Sequence, residues 1–312
     1  VYWGIVGDWF YWWKKEVIKN FEKTVGDIEF DYIICSFPPI MDLEIGEYLS
    51  KKYNIPLIVD YRDGLMHLPF HYINEKSRFF VKRTNDLERR VSEKSQLNIV
   101  VNDSMEQYYS SKYSTPTIVI QNGFDDEEKF NEENCLDLPQ GFNIVYTGSL
   151  SLSRETVFLE SIKEIIDNNK TANFIFIGDY TRDELALFAR LTNVYVFEKQ
   201  QRQVIIPVQH KADMLLLCSG NIEGGTSGKL YEYIFSHKPI LNIGGVNTAS
   251  EIISKTKTGE TFLESDLDGI NKYIEQVRTG KYKINPQNLN EFTRRSQIKK
   301  LAEAINNLEM EN

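Results

Sequence analysis

The chain has 312 residues, with 36 Lys and Arg against 45 Asp and Glu for a formal net charge of -9. That length suits two domains with a core each, and the acidic balance argues against a general nucleic-acid binder, which needs clustered cations to neutralise phosphate. With 41% hydrophobic residues but no run near the roughly 18 apolar residues of a membrane span, a soluble, cytoplasmic protein is expected.

The chain opens on VYWGIVGDWFYWW, with no charged-then-apolar signal segment, and its true start is expected to lie upstream of Val1. Trp9, Trp12 and Trp13 lie there with Phe10 and Tyr11, a cluster read as core packing rather than as a platform for sugar rings. From about residue 31, short β-branched or aromatic runs alternate with longer periodic stretches, the pattern of parallel sheets with crossover helices. The runs 31–37, 56–61, 97–102 and 116–122 predict strands. Helices are predicted over 41–53, 74–94 and 103–112, the last capped by Asp103 and Ser104.

His67 and His71 are four apart, but Pro69 interrupts a helix and no further ligand completes a metal set, so no metal is expected. Basic residues from Lys76 to Lys94 suit an anionic membrane surface. The acids Glu75, Asp86, Glu88 and Glu93 among them favour an ordinary solvated helix face instead. Cys35, Cys135 and Cys218, odd in number and far apart, suggest neither a disulfide framework nor a zinc site.

Residues 124–140 are acidic, polar and aperiodic, and read as a linker. The alternation then restarts: strands at 142–148, 173–179, 193–197, 213–218 and 239–244, with helices up to about 168, at 182–191 and at 227–237. Phe292, Ile298, Leu301, Ala304, Ile305 and Leu308 recur at helical spacing, which predicts a terminal amphipathic helix over 287–309. The division expected is a first domain over 1–130, a linker over 131–141, a second domain over 142–285, and a helix within 286–312 that returns to the first domain.

The stretch richest in chemistry joins a hydrophobic strand to a helix through small residues: Asn221, Ile222, Glu223, Gly224, Gly225, Thr226, Ser227, Gly228, Lys229. Such a loop admits a ligand close to the backbone and leaves the first N–H groups of the helix open to phosphate. The ammonium of Lys229 would add to the helix dipole in favouring a diphosphate without metal. Glu232, one turn on, can accept hydrogen bonds from two adjacent ribose hydroxyls. The alternative is a solvated Lys229/Glu232 pair beside a simple turn. In the first half, Arg62 and Asp63 close a buried strand, where ligands of parallel sheets gather, and are candidates to orient an acceptor hydroxyl and the sugar; the alternative is that they pair with each other and cap the following turn. Ser36, Pro38 and Pro39 at another strand end read as structural.

The segment GTSGKLYEYIFSHKPIL resembles the signature of family-4 retaining glycosyltransferases. SFPP (36–39), DYRD (60–63), QNGFD (121–125) and VYTGSL (145–150) follow the same family's landmarks in order, notably those of bacterial members that build surface polysaccharides. The resemblance spans nearly the whole chain. It implies an α/β GT-B fold: two Rossmann-like doubly wound domains facing a cleft, the first incomplete at its N-terminus. It implies a nucleoside-diphosphate-linked sugar as donor substrate and a saccharide or lipid-linked acceptor; a UDP- or GDP-linked donor and no cofactor are expected, and peripheral contact with the inner membrane face is the alternative role of the basic residues between Lys76 and Lys94. Carried over by residue, it places Gly148, Arg154, Glu223, Gly224, Gly225, Thr226, Ser227, Gly228, Leu230 and Glu232 on the donor, with Asp63, Arg62 and Lys229 in catalysis.

The chain departs from the family in two places. Glu223 and Glu232 have eight residues between them where the family has seven, which makes Glu232 the better match. Ser149 stands where a basic residue is common, leaving Arg154 as the second base of that loop. Two other readings stay open: a nucleotide-sugar epimerase of the same fold, which would need cleft acids or His to move a proton at carbon, and a non-catalytic nucleotide-sugar-binding partner of another transferase.

Overall fold

The computed structural model describes residues 11–67, 78–150, 156–220 and 227–310. The chain forms two compact units, one running to Gln121 and resuming at Ile298, the other spanning Asn122–Gln297.

In the first unit the elements are α1 (Tyr11–Val25), β1 (Ile33–Phe37), α2 (Ile40–Tyr53), β2 (Leu57–Tyr61), α3 (Arg78–Lys94), β3 (Leu97–Val100), α4 (Asp103–Lys112) and β4 (Thr117–Val119). The four strands pair in chain order and all are parallel. Strands β2 and β3 are buried on nearly every residue, as expected where helices cover both faces of a parallel sheet. One core gathers Phe37, Met41, Leu43, Val59, Leu65 and Val91. A second packs Ile58, Leu97, Ile99 and Ile120 under Leu301, Ala304, Ile305 and Leu308 of the terminal helix.

The second unit holds β5 (Phe142–Thr147), α5 (Thr156–Asn168), β6 (Ala172–Ile177), α6 (Arg182–Phe188), β7 (Val194–Phe197), α7 (Arg202–Lys211), β8 (Met214–Gly220), α8 (Gly228–Phe235), β9 (Ile240–Gly244), α9 (Thr248–Thr256), β10 (Gly259–Phe262) and α10 (Leu267–Arg278). Helix α11 (Arg294–Met310) starts in this unit and ends in the other. The parallel sheet has the order β10-β9-β8-β5-β6-β7. Winding runs from β5 out to β7, then reverses to β8 and on to β10. The reversal between β5 and β8 opens a crevice beyond their carboxyl ends, the usual ligand position in such sheets.

Several expectations are corrected. Trp12 and Trp13 are 62% and 43% exposed on α1, so these two are not core; Trp9 and Phe10 lie outside the described residues. The side chain that caps α4 is Asn102, which accepts from Met105 N–H, one residue before the expected Asp103 and Ser104. The acidic stretch after Gly123 is not featureless: Phe124 is buried and bridges to Thr293, and Glu132–Asn134 form a 3-10 turn. Phe292 sits in a separate 3-10 turn before the terminal helix and packs in the second unit, while Ile298 is 62% exposed.

Three basic residues of α3, Arg83, Arg90 and Lys94, turn onto α2. Arg83 bonds Glu44, and Arg90 grips Glu47 with two hydrogen bonds. All three cysteines are free. No described helix is long and apolar enough to cross a membrane.

Candidate functional site

In the second unit the switch point is built around Gly148, immediately after β5. Its backbone has φ +110°, a region that disfavours any side chain, and its N–H bonds Ile177 O at 2.8 Å. A Cβ there would lie 2.8 Å from Lys229 Nζ, and a Cβ on Gly178 would lie 2.4 Å from Gly148 O. Gly178 is thus demanded by the close approach of backbone, and Gly148 by its own backbone conformation. Lys229 Nζ donates to Tyr146 Oη at 3.1 Å and stands 4.2 Å from the ring centre, while Tyr146 in turn donates to Ser149 O at 2.8 Å. A cation is therefore held at the carboxyl end of β5 by the hydroxyl and ring face of Tyr146.

Lys229 reaches that place because α8 starts at Gly228, behind Ser227 in extended conformation (φ -90°, ψ 136°). Ser227 supplies no side-chain cap. The helix buries Leu230, Tyr231, Tyr233 and Ile234 and leaves Lys229 and Glu232 half-buried on its other side. Leu230 is fully buried and its N–H bonds Ser227 O at 3.0 Å, which makes its side chain part of the core. Arg154, Glu223, Gly224, Gly225 and Thr226 lie outside the described residues.

Glu232 turns to partners that the sequence reading missed. One carboxylate oxygen accepts from Arg202 and the other from Gln209 Nε2 at 3.1 Å. Arg202 is also held by Glu128 through Nε (2.8 Å) and Nη2 (2.6 Å), and the Glu128 carboxylate, with Glu232 beside it, pushes its pKa up against the opposing effect of burial. Gln209 is fully buried and bonds Thr147 Oγ1 at 3.2 Å, and Thr147 N–H bonds Tyr233 Oη at 3.0 Å. Arg202 and Gln209 both come from α7. Its sequence, RQVIIPVQHK, hides a helix behind Pro207 and a β-branched run.

In the first unit, Arg62 is fixed at the end of β2. Its N–H bonds Phe37 O at 2.9 Å, and its Nη1 reaches Ile120 O at 3.1 Å and Asp60 Oδ1 at 3.4 Å. Asp60 is thus one ionic partner of Arg62, and Asp63 is exposed one residue beyond it. Asp60 accepts from Ser36 Oγ at 2.8 Å, and Ser36 N–H bonds Asp42 at 2.7 Å. Burial pushes the Asp42 carboxyl up against the opposing effect of that N–H. His67 bonds Ser104 Oγ at 3.0 Å, and His71 lies outside the described residues. Among the described residues no cluster of three or more His, Cys, Asp or Glu could hold a metal.

An open groove of about 890 Å³ runs elsewhere in the second unit, beside the edge strand β10, lined by Gly244, Glu260, Thr261, Leu263 and Tyr282 among others. None of the described donor candidates lines it.

Residues 141–295 match the family model for glycosyl transferases group 1. This is a group 1 glycosyltransferase domain. The match contains every donor-side candidate from Gly148 to Glu232 and excludes Arg62 and Asp63. No curated protein matches the chain in sequence.

Solved structures resemble it over nearly its whole length. Sucrose-phosphate synthase from Thermosynechococcus elongatus superposes with a TM-score of 0.72 at 12% identity, covering 97% of this chain and 80% of that one. The Anabaena protein HepE in complex with UDP gives 0.65 at 15% identity over 94% and 82%. The lipopolysaccharide outer core galactosyltransferase WaaB, in its apo form, gives 0.61 at 15% identity over 94% and 79%. The fold is GT-B, with two Rossmann-like units.

Proposed function

We propose that the protein transfers a sugar from a nucleoside diphosphate sugar to a saccharide or lipid-linked acceptor in glycan biosynthesis, with retention at the anomeric carbon and without a metal. The observation that carries this reading is the ammonium of Lys229, held by Tyr146 over Gly148 at the switch point within the group 1 domain. A cation there stabilises the negative charge that grows on the leaving diphosphate, and it acts more strongly in the transition state than in the bound donor. The N-terminal end of α8 adds its partial positive charge, and Arg154 is the second cation in this scheme.

Glu232 is assigned to the ribose. Its two oxygens already accept from Arg202 and Gln209, and each keeps a lone pair for a hydroxyl donor. Asp63 and Arg62 are assigned to the acceptor. UDP in the HepE complex supports a uridine nucleotide, with GDP as the other candidate. WaaB, by name a lipopolysaccharide galactosyltransferase, supports a lipid-linked acceptor, reached from the cytoplasmic side by a protein peripheral to the membrane. The group 1 match favours transfer over epimerisation.

The test is a thermal melt with UDP, GDP and NAD, each with and without EDTA. Nucleotide at about 100 times its Kd stabilises by roughly 2.7 kcal/mol, which for a unit of this size raises Tm by roughly 5–10 °C. UDP or GDP should do so with EDTA present and NAD should not. A shift that vanishes with EDTA would exclude the metal-free scheme, and no shift with either nucleotide would exclude the donor site.

A further inference from the structure

Glu88 lies in the middle of α3 and is fully buried, yet the scheme above gives it no task. Its carboxylate receives five hydrogen bonds. Oε2 accepts from Met66 N–H at 2.9 Å and Tyr109 Oη at 3.2 Å; Oε1 accepts from Tyr113 Oη at 2.8 Å, Tyr108 Oη at 2.9 Å and Lys112 Nζ at 2.9 Å. Three of these donors come from α4 and a fourth, Tyr113, from the residue that ends it. The fifth is the backbone of the loop that leaves β2 carrying Arg62 and Asp63.

A buried ion pair is a poor stabilising device, because desolvation offsets most of the attraction and an apolar replacement often serves as well. An apolar side chain cannot accept the Met66 N–H, and that bond is what separates this site from packing. The surroundings tie the same loop at both ends. Tyr61, its first anchor, stacks on Tyr109 with ring centres 4.4 Å apart and bonds Ser92 Oγ at 2.8 Å. His67, just past Met66, stacks on Tyr108 at 5.1 Å and bonds Ser104. Between the fixed Arg62 and the fixed Met66 only Asp63, Gly64 and Leu65 remain, and Leu65 is wholly buried.

We propose that Glu88 is the positioning residue of the acceptor-side loop: its carboxylate, held by Tyr108, Tyr109, Tyr113 and Lys112, clamps Met66 and so sets where the exposed Asp63 carboxylate stands. The role of Asp63 rests on the transferase reading above; the clamp itself does not.

The test measures amide exchange in Glu88→Met, which removes the acceptor while roughly keeping the volume, and in the triple variant Glu88→Met with Tyr109→Phe and Tyr113→Phe, which also removes the hydroxyls left without a partner. Exchange at Met66 and over residues 62–67 should rise at least about tenfold relative to strands β2 and β3, the usual scale for losing a hydrogen bond to a charged group. Glu88→Gln, which retains a carbonyl acceptor, should restore much of the protection. Thr115→Val removes a neighbouring buried bond to Ser92 O without touching Met66, and should leave the loop-to-strand ratio unchanged.

In a turnover assay with UDP-glucose, the triple variant should lose kcat while its Kd for UDP stays within about twofold. Parallel acceleration of loop and strands, or no change in either, would overturn the clamp. Absence of turnover in the unmodified protein would instead count against the transferase reading, and the exchange ratio would still decide the clamp.

Discussion

Replacing Gly148 with Ala probes the proposed donor site most directly, because one methyl group meets two separate obstacles. The backbone at φ +110° disfavours any side chain, a strain of roughly 1–3 kcal/mol. The new Cβ also falls 2.8 Å from Lys229 Nζ, the mobile tip of a long side chain, which yields at little cost and swings away from Tyr146. Stability should therefore fall by the backbone strain alone, or roughly 2–12 °C in Tm at 2–4 °C per kcal/mol. Nucleotide binding should fall by what the displaced ammonium contributes. A hydrogen bond to a charged group is worth roughly 1.5–3 kcal/mol, so Kd for UDP should rise about 10- to 150-fold.

The assay is calorimetric titration of UDP and uridine into wild type, Gly148→Ala, Lys229→Ala and the double variant. If the methyl acts by moving Lys229, it should cost affinity in the wild type and almost nothing once Lys229 is gone, a coupling of the same 1.5–3 kcal/mol. Uridine should be nearly indifferent throughout. Equal losses of UDP affinity with and without Lys229 would show that Gly148 shapes the site independently of the cation, and the reasoning would fail.

Glu232→Ala should weaken UDP by roughly 1.5–3 kcal/mol and 2'-deoxy-UDP by less, since one hydroxyl is already missing; equal losses in titration would remove the ribose role and point to the Arg202 network as the cause. Asp63→Ala should lower transfer from UDP-glucose at least about tenfold while Kd for UDP stays within twofold; a parallel loss of binding would place Asp63 wrongly. His210 supplies a pH dependence. Burial, then the nearby His237 and Lys238, push its pKa below the ordinary 6.5. Over that interval the unfolded chain binds a proton the folded one does not, so this contribution is present above pH 6.5 and is lost as pH falls below it. Denaturant melts should show stability declining from pH 7 toward 5, with a shallower decline in His210→Phe; identical slopes would refute the assignment.

How much of this was legible in the sequence depended on whether neighbours in the chain were also neighbours in space. Strands such as Leu57–Tyr61 and Phe142–Thr147 announced themselves as short apolar runs because both faces are buried. The start of α8 announced itself because Ser227 and Gly228 stand directly before an apolar-periodic run. Helices α1, α9 and α10 and strand β10 escaped the reading, and so did α7, whose Pro207 and β-branched residues mimic an extended segment. With α7 went Arg202 and Gln209, which lie 30 and 23 positions before Glu232. The Trp12 and Trp13 expectation failed for a related reason: aromatic content marks a surface that must contact something, and does not say that the contact is the protein's own core.

The same long-range partners explain why the Lys229 and Glu232 motif is not simply a solvated ion pair. Two opposite charges three residues apart on a helix ordinarily attract, and a mutual bridge would draw Lys229 away from the end of β5. Here Glu232 is engaged by Arg202 and Gln209, with Glu128 holding Arg202 in turn, while Lys229 goes to a phenol at the end of β5. Glu232 has partners that are fixed and polar, and Lys229 donates to the Tyr146 phenol and lies over its ring. On one helical turn the two side chains are thereby separated into an acceptor suited to hydroxyl donors and a cation suited to an anion, and that separation requires α7 as much as it requires α8.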